Sequence, residues 1–268
     1  MDKTAAASEV LVARDGPIVT LTFNRPEARN AMTWGMYERL YEACEEVDRD
    51  DSIRVLVLTG AAGKDGATKA FVAGTDISQF TQFKGAEDGL RYERDNDKRA
   101  GRIARVTKPV IAQIEGYAVG GGFGIAAGAD IRIATPEARF GAPIARTLGN
   151  CLSMKNYARY MDLIGPSLLG EILFTARLLT AQEALGVGFV HEIVDAGAIG
   201  ARVKEVAEKV ASHAPLTIQV TKEAIRRIRE SRPLPDGEDL VAKIYGSADF
   251  KEGVRAFVEK RPPRWTGK

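Results

Sequence analysis

The sequence predicts an α/β protein. First, strand-like and helix-like patterns alternate through about residue 195. Second, Ile53–Leu58 is a near-continuous aliphatic run, the signature of a strand covered on both faces. Third, residues 108–135, KPVIAQIEGYAVGGGFGIAAGADIRIAT, read as strand, glycine turn, short helix and strand. Glycines in that turn can adopt positive φ and leave backbone N–H groups uncovered, and uncovered N–H groups at a helix start favour an anion.

The chain has 268 residues, enough for one large domain or a domain with a helical appendage. Hydrophobic residues make up 45% and charged residues 28%, the balance of a globular protein. The formal charge of +2 gives no global field directed at nucleic acid or a membrane. Cys44 and Cys151 fit no metal or redox spacing, so reduced thiols and a cytoplasmic setting are expected, with no metal. The opening MDKTAAASEV lacks an apolar signal core, and no apolar stretch is long enough to span a bilayer.

Residues 9–23 read as a hairpin across Asp15-Gly16. NRPEARNAM (24–32) is a loop, and Thr33 is the expected cap of a helix whose stripe, Met36, Leu40, Cys44 and Val47, is core. A polar loop covers 60–69. AFVAGTDI (70–77) then gives a short strand, Gly74 and a helix-starting Thr75-Asp76, the second strand end that feeds N–H groups into a helix start. The charged residues 87–105 read as a solvated helix face. Ala138–Phe140 is a short strand, and GAPIARTLGNCLS is a loop entering a helix. Beyond Leu163 the pattern is helical, with starts at Pro166 and Pro215, a cap at Thr180, a loop at 231–238 and a final helix carrying DFKEGVRAFVEKR. This divides the chain into a core, 1–195, and a helical tail, 196–268, which packs on its own core or on a neighbour.

Some motifs point elsewhere. Gly122-Phe123-Gly124-Ile125-Ala126-Ala127 formally fits a dinucleotide fingerprint. The next strand begins near Asp130, too soon for a crossover helix, and ends on Ile133-Ala134-Thr135 with no acid for a ribose. A nicotinamide oxidoreductase is therefore disfavoured. His191 and His213 have no Ser or Cys at triad spacing and read as structural or exposed.

Taken together, LTFNRPEARNAM (21–32), VLVLTG (55–60), AFVAGTDI, the 108–134 stretch and AFVEKR (256–261) resemble the crotonase superfamily, the enoyl-CoA hydratase/isomerase group, over nearly the whole chain. The resemblance implies a spiral of ββα turns with a C-terminal helical trimerisation region, forming a trimer or a dimer of trimers. It implies an acyl-CoA thioester as ligand, with coenzyme A as part of the substrate and no permanently bound cofactor. By motif position, the backbone N–H groups of Thr75 and Gly121 would hold the thioester oxygen. Ala28 and Arg29 fall in the adenine-binding loop, and Ala73, Asp76 and Ile77 border the same ligand. Phe257 and Lys260 match an aromatic–basic pair that a neighbouring subunit lends to CoA. Phe80 and Phe83 are acyl-pocket or core residues.

The resemblance also implies a departure. The family's two acid/base glutamates correspond to Gly124 and Ile144, neither of which moves a proton. General acid–base steps supply about 10²–10⁴ each. The loop offers Arg146, suited to a substrate carboxylate or a carbonyl, and also Asn150, Cys151 and Ser153. Asp76 and Asp130 read as structural. Two functions follow: an acyl-CoA enzyme that stabilises an enolate or tetrahedral oxyanion, or a catalytically degenerate acyl-CoA-binding protein.

Overall fold

A computed structural model describes residues 9–63 and 70–268. Most of the polar loop expected over 60–69 lies outside the described residues, as do the first eight residues. Strands β1 (Val10–Asp15) and β2 (Ile18–Phe23) form the expected hairpin, with Gly16 at positive φ in the turn. Thr33 caps α1 (Trp34–Arg49), its hydroxyl accepting the Met36 N–H at 3.1 Å, and the stripe Met36, Leu40, Cys44 and Val47 is buried.

The chain then alternates between two sheets. β3 (Val55–Gly60), β5 (Val110–Ile114) and β7 (Ile131–Ala134) enter a six-stranded sheet of order β1-β2-β3-β5-β7-β10, completed by β10 (Glu192–Ile193). β4 (Ala70–Val72), β6 (Tyr117–Val119) and β8 (Arg139–Gly141) enter a four-stranded sheet of order β4-β6-β8-β9, with β9 at Leu179–Thr180. Helix α2 (Ala86–Ala104) follows β4, α3 (Gly121–Gly128) follows β6, and the one-turn α4 (Ile144–Thr147) follows β8. That succession is the ββα repeat.

The continuous apolar run of β3 is explained by burial on both faces. Leu56 and Leu58 join α1 and α3 in the main core. Val55 and Val57, pointing the other way, pack with Ile111, Ile133 and Ile199, the last from α8 (Ile199–Ala211). Each such fully buried aliphatic side chain contributes about 1.5–3 kcal/mol.

The short strand expected within 70–77 is β4, and the helix expected from Thr75-Asp76 is a short 3-10 helix, Ile77–Gln82, capped by the Asp76 carboxylate. The loop after Pro143 contains α4 before α5 (Met154–Ile164) and α6 (Pro166–Thr175). Thr180 caps α7 (Ala181–Gly186) in a full capping box with Glu183. The tail holds α8, α9 (Pro215–Glu230), the unanticipated α10 (Glu238–Tyr245) and α11 (Ala248–Val258). Val241, Tyr245, Phe250 and Val254 of α10 and α11 form a third core with Phe80 and Leu148, so the end of the tail packs on its own chain. No helix among the described residues is long and apolar enough to cross a membrane.

Asn30 ties the 24–32 loop to this frame. It is buried at φ 57°, accepts the Arg25 N–H at 2.9 Å, and donates to the carbonyls of Ala61 (3.0 Å) and Ala70 (2.7 Å). Asn30→Ala strands these groups and places a Cβ without a compensating side-chain bond in the left-handed region. Urea unfolding is expected to show a loss of about 2–4 kcal/mol. A loss below about 0.5 kcal/mol, the scatter of ordinary surface changes, would contradict that role.

Candidate functional site

Two strand ends meet at one point. The first is the glycine turn. β6 ends at Val119, Gly120 takes φ 55°, and its N–H donates to Gly141 O at 2.8 Å. Helix α3 starts at once on Gly121. A Cβ on Gly122 would collide with the Val72 carbonyl, so only glycine lets the helix lie against the end of β4. The second is the Gly74 turn after β4. Ala73 N–H donates to Arg29 O at 3.1 Å, Met32 N–H to Gly74 O at 2.8 Å, and Asp76 N–H to Met32 O at 2.9 Å. Gly74 takes φ 115°, and its α-carbon lies 3.5 Å from where a Cβ on Gly120 would stand.

The stitching consumes the N–H groups of Ala73 and Asp76 and skips Thr75. Among the described residues, neither the Thr75 nor the Gly121 N–H donates to a protein acceptor. The two positions are neighbours: Thr75 N lies 3.5 Å from the place of a Gly121 Cβ. The Thr75 side chain is turned into a tyrosine cluster. Its Oγ1 is 2.9 Å from the Tyr37 hydroxyl and 3.3 Å from that of Tyr92. Burial pushes the Tyr37 phenol up to about 12 and Tyr92 well above its usual value, so both remain neutral at physiological pH. The Tyr37 hydroxyl also fills the space a side chain at position 121 would need.

The other candidates are placed as follows. Asp76 caps the 3-10 helix and pairs with Arg25 at 3.2 Å. Burial alone would raise its pKa; the Ser78 hydroxyl and N–H and the Arg25 guanidinium outweigh it and hold Asp76 below the usual carboxylate range, the structural part expected of it. Asp130 likewise ties β5 to α9, accepting the Val110 N–H and the Lys222 ammonium. Ala28, Ala73 and Ile77 are half-buried beside the Gly74 turn, and Arg29 is exposed at φ 52°. Gly124 is buried on α3, with the Tyr160 hydroxyl 3.2 Å from where its Cβ would stand. Ile144 is half-buried at the start of α4, and Arg146 is exposed on the same turn. Phe257 is 52% exposed near the end of α11, and Lys260 is exposed just beyond it. Phe80 and Phe83 belong to an aromatic cluster with Trp34, Tyr92, Tyr245 and Phe250.

Burial pushes both thiols, Cys44 and Cys151, up to about 12, which removes the thiolate a nucleophile needs. His191 accepts the Arg132 N–H, and His213 is exposed. Missing from the expected set were the hydroxyls of Tyr37, Tyr92 and Tyr160, which carry no local signal in the sequence.

Two N–H groups without a protein acceptor thus stand together at adjacent strand-to-helix turns, an arrangement able to donate to one electronegative atom. On a ββα spiral they define the class of protein to which the chain is similar in sequence and structure. A sequence profile described as enoyl-CoA hydratase/isomerase matches residues 13–268, and the chain belongs to that family. It is 32% identical over 257 residues to the short-chain-enoyl-CoA hydratase of Clostridium acetobutylicum, covering 95% of this chain and 96% of that one. It is 32% identical over 267 residues to the 2,3-dehydroadipyl-CoA hydratase of Escherichia coli, covering 97% and 100%. Among solved structures, a methylmalonyl-CoA decarboxylase complexed with 2S-carboxypropyl-CoA superposes with a TM-score of 0.87 at 27% identity, covering 97% of this chain and 98% of that one. An enoyl-CoA hydratase/carnithine racemase from Magnetospirillum magneticum gives 0.78 at 33%, covering 97% and 96%.

Proposed function

We propose that the chain is an acyl-CoA-transforming enzyme that holds the thioester oxygen between the N–H groups of Thr75 and Gly121. The observation that carries this reading is the meeting of the Gly74 and Gly120 turns with those two donors left over. Forming an enolate from a thioester moves charge onto that oxygen. Donors fixed in place before the reaction favour the charge most as it develops, by about 3–4 kcal/mol each. Relatives named as hydratases of CoA thioesters, 32% identical over almost their whole length, support the substrate class.

The CoA moiety then lies along Ala28, Arg29, Ala73, Asp76 and Ile77, with Phe257 and Lys260 completing the site in a homo-oligomer. The exposed apolar residues of α9, Leu216, Val220, Ile225 and Ile228, support assembly through the 196–268 region. Coenzyme A enters as part of the substrate, and no permanent cofactor is required.

A second reading, a binding protein without turnover, is favoured by Gly124 and Ile144, which carry no acid or base. Titration and turnover of crotonyl-CoA separate the two. Saturable binding with hydration supports the enzyme, and saturable binding with no conversion of any thioester supports the binding protein. NADH is expected to show no saturable binding. Failure to bind crotonyl-CoA or other acyl-CoA thioesters overturns both readings.

A further inference from the structure

One buried carboxyl has no part in the arrangement above. Glu93, on α2, is 5% exposed. Its Oε1 accepts the Tyr245 hydroxyl of α10 at 2.7 Å, while its Oε2 is buried with no partner. Asn150 donates to the same Tyr245 hydroxyl at 3.3 Å, and its Oδ1 is also buried and unpartnered. These two oxygens are the unsatisfied buried side-chain atoms among the described residues. Groups of this kind are costly and call for an explanation, such as a part in chemistry.

The fold holds this carboxyl in place. Gly89 lies one turn before Glu93 on α2. A Cβ there would collide with the Tyr245 ring, so glycine lets that ring lie on α2 and its hydroxyl reach Glu93. A chain of contacts links the carboxyl to the two N–H donors: the Tyr245 ring, whose hydroxyl donates to Glu93, lies 6.1 Å from the Tyr92 ring, and the Tyr92 hydroxyl is 3.3 Å from Thr75 Oγ1. Tyr37 and Tyr92 bond the Thr75 hydroxyl, Tyr37 stands against Gly121, and Tyr160 stands against Gly124.

We propose that Glu93, through its free Oε2, is the catalytic residue that exchanges a proton with the α-carbon of an acyl-CoA thioester held at Thr75 and Gly121. The proposal rests on the oxyanion reading above and supplies the proton acceptor that Gly124 and Ile144 lack. In the forward step the α C–H bond breaks and the proton passes to Oε2. The C–H electron pair forms the Cα=C bond, and the carbonyl π pair moves onto the thioester oxygen. The reverse step returns a proton to carbon, and no other reactant is consumed. Oε1 remains anchored on Tyr245 throughout.

Burial pushes Glu93 up to about 8; the Tyr245 hydroxyl opposes this, the Asp97 carboxylate adds to it, and the Ser153 N–H, whose geometry falls short of a hydrogen bond to Oε2, opposes it least. The other groups around it are Tyr37 of α1, Tyr92 of α2, Cys151, Tyr157 and Tyr160 of α5, and Tyr245. All are raised above their usual values and stay neutral between pH 6 and 9 on the scale of ordinary thiol and phenol titrations. Asp97 is raised by burial and faces Ser153, Lys155 and Arg159. The base form of Glu93 therefore grows as pH rises through about 8.

The test is deuterium incorporation at the α-carbon of butyryl-CoA in D₂O, followed by NMR from about pH 6 to 9, the window around the cited ionisation. The full-length protein is expected to exchange faster as pH rises. Glu93→Gln is expected to bind butyryl-CoA as before and to exchange about 10²–10⁴-fold more slowly. Tyr245→Phe keeps the carboxyl but removes the bond that favours its charged form, so its profile is expected to move to higher pH. A Glu93→Gln protein that exchanges normally overturns the proposal, as does one that loses thioester binding. An inactive wild type that still binds, or an unmoved Tyr245→Phe profile, also overturns it. Loss of exchange in Gly121→Pro with Tyr37→Phe, but not in Glu93→Gln, removes Glu93 and leaves the oxyanion reading. Unchanged exchange in both variants removes both.

Discussion

Gly121→Pro, made in a Tyr37→Phe background, is expected to lower kcat for crotonyl-CoA by about 10²–10³ relative to Tyr37→Phe alone, with KM moved far less. The substitution deletes one N–H and little else. Proline is accepted at the first position of a helix because that N–H has no intrahelical partner and the fixed φ suits the turn. The residue before a proline is pushed out of the α region, and Gly120, at φ 55° and ψ −117°, is already outside it. The main obstacle is the Tyr37 hydroxyl, which a Cβ at position 121 would meet and which Tyr37→Phe removes; Thr75 Oγ1, 3.1 Å from that Cβ, must give by a few tenths of an ångström. A donor that acts only as charge develops affects kcat, whereas one that binds substrate and transition state equally affects KM. Equal kcat in the two proteins would remove Gly121 from the oxyanion site.

Arg132→Met is expected to reduce unfolding free energy by about 3 kcal/mol or more. Arg132 lies on β7, is 3% exposed, and is the counterpart of Gly121 at the other end of α3. Its guanidinium donates to the carbonyls of Ala126 (3.1 Å) and Ala129 (2.5 Å) at the end of that helix, and to Phe189 O, while its face covers the Phe189 ring. Burial lowers its pKa to about 10, so it still carries its charge at neutral pH, where a cation suits the carbonyl end of a helix. Methionine refills the volume and leaves the carbonyls of Ala129 and Phe189 without their donor, at about 1–3 kcal/mol each, while Ala126 O keeps the Ala129 N–H. Urea unfolding measures the loss, and a change below about 1 kcal/mol would mean that α3 is held by packing alone.

The parts of the site built from local backbone rules were legible in the sequence. Gly74 and Gly120 stand at positive φ where a strand must turn into a helix, and β3 and β5 show their two-sided burial as unbroken aliphatic runs. The caps Thr33 and Thr180 were readable for the same reason. What was not legible depends on partners far along the chain. Glu93 sits in a helix so charged that it reads as solvated, and its partner Tyr245 is 152 residues away. Helix α10 is only eight residues long and is fixed by packing Val241 and Tyr245 into the third core, so it has little local signal. Helix α4 is a single turn after a proline and looks like loop.

In the proposed function, two backbone N–H groups, those of Thr75 and Gly121, grip the thioester oxygen. The most direct measurement is the infrared difference spectrum of acyl-CoA bound to the protein, with the thioester carbonyl labelled with ¹³C and ¹⁸O in separate samples. Two strong donors polarise the C=O bond. The stretch is expected at lower frequency on the wild-type protein than in water, and it is expected to move back towards the solution value in Gly121→Pro with Tyr37→Phe. A bound carbonyl whose frequency matches the solution value, or one unmoved by the loss of the Gly121 N–H, would contradict a grip by these two donors.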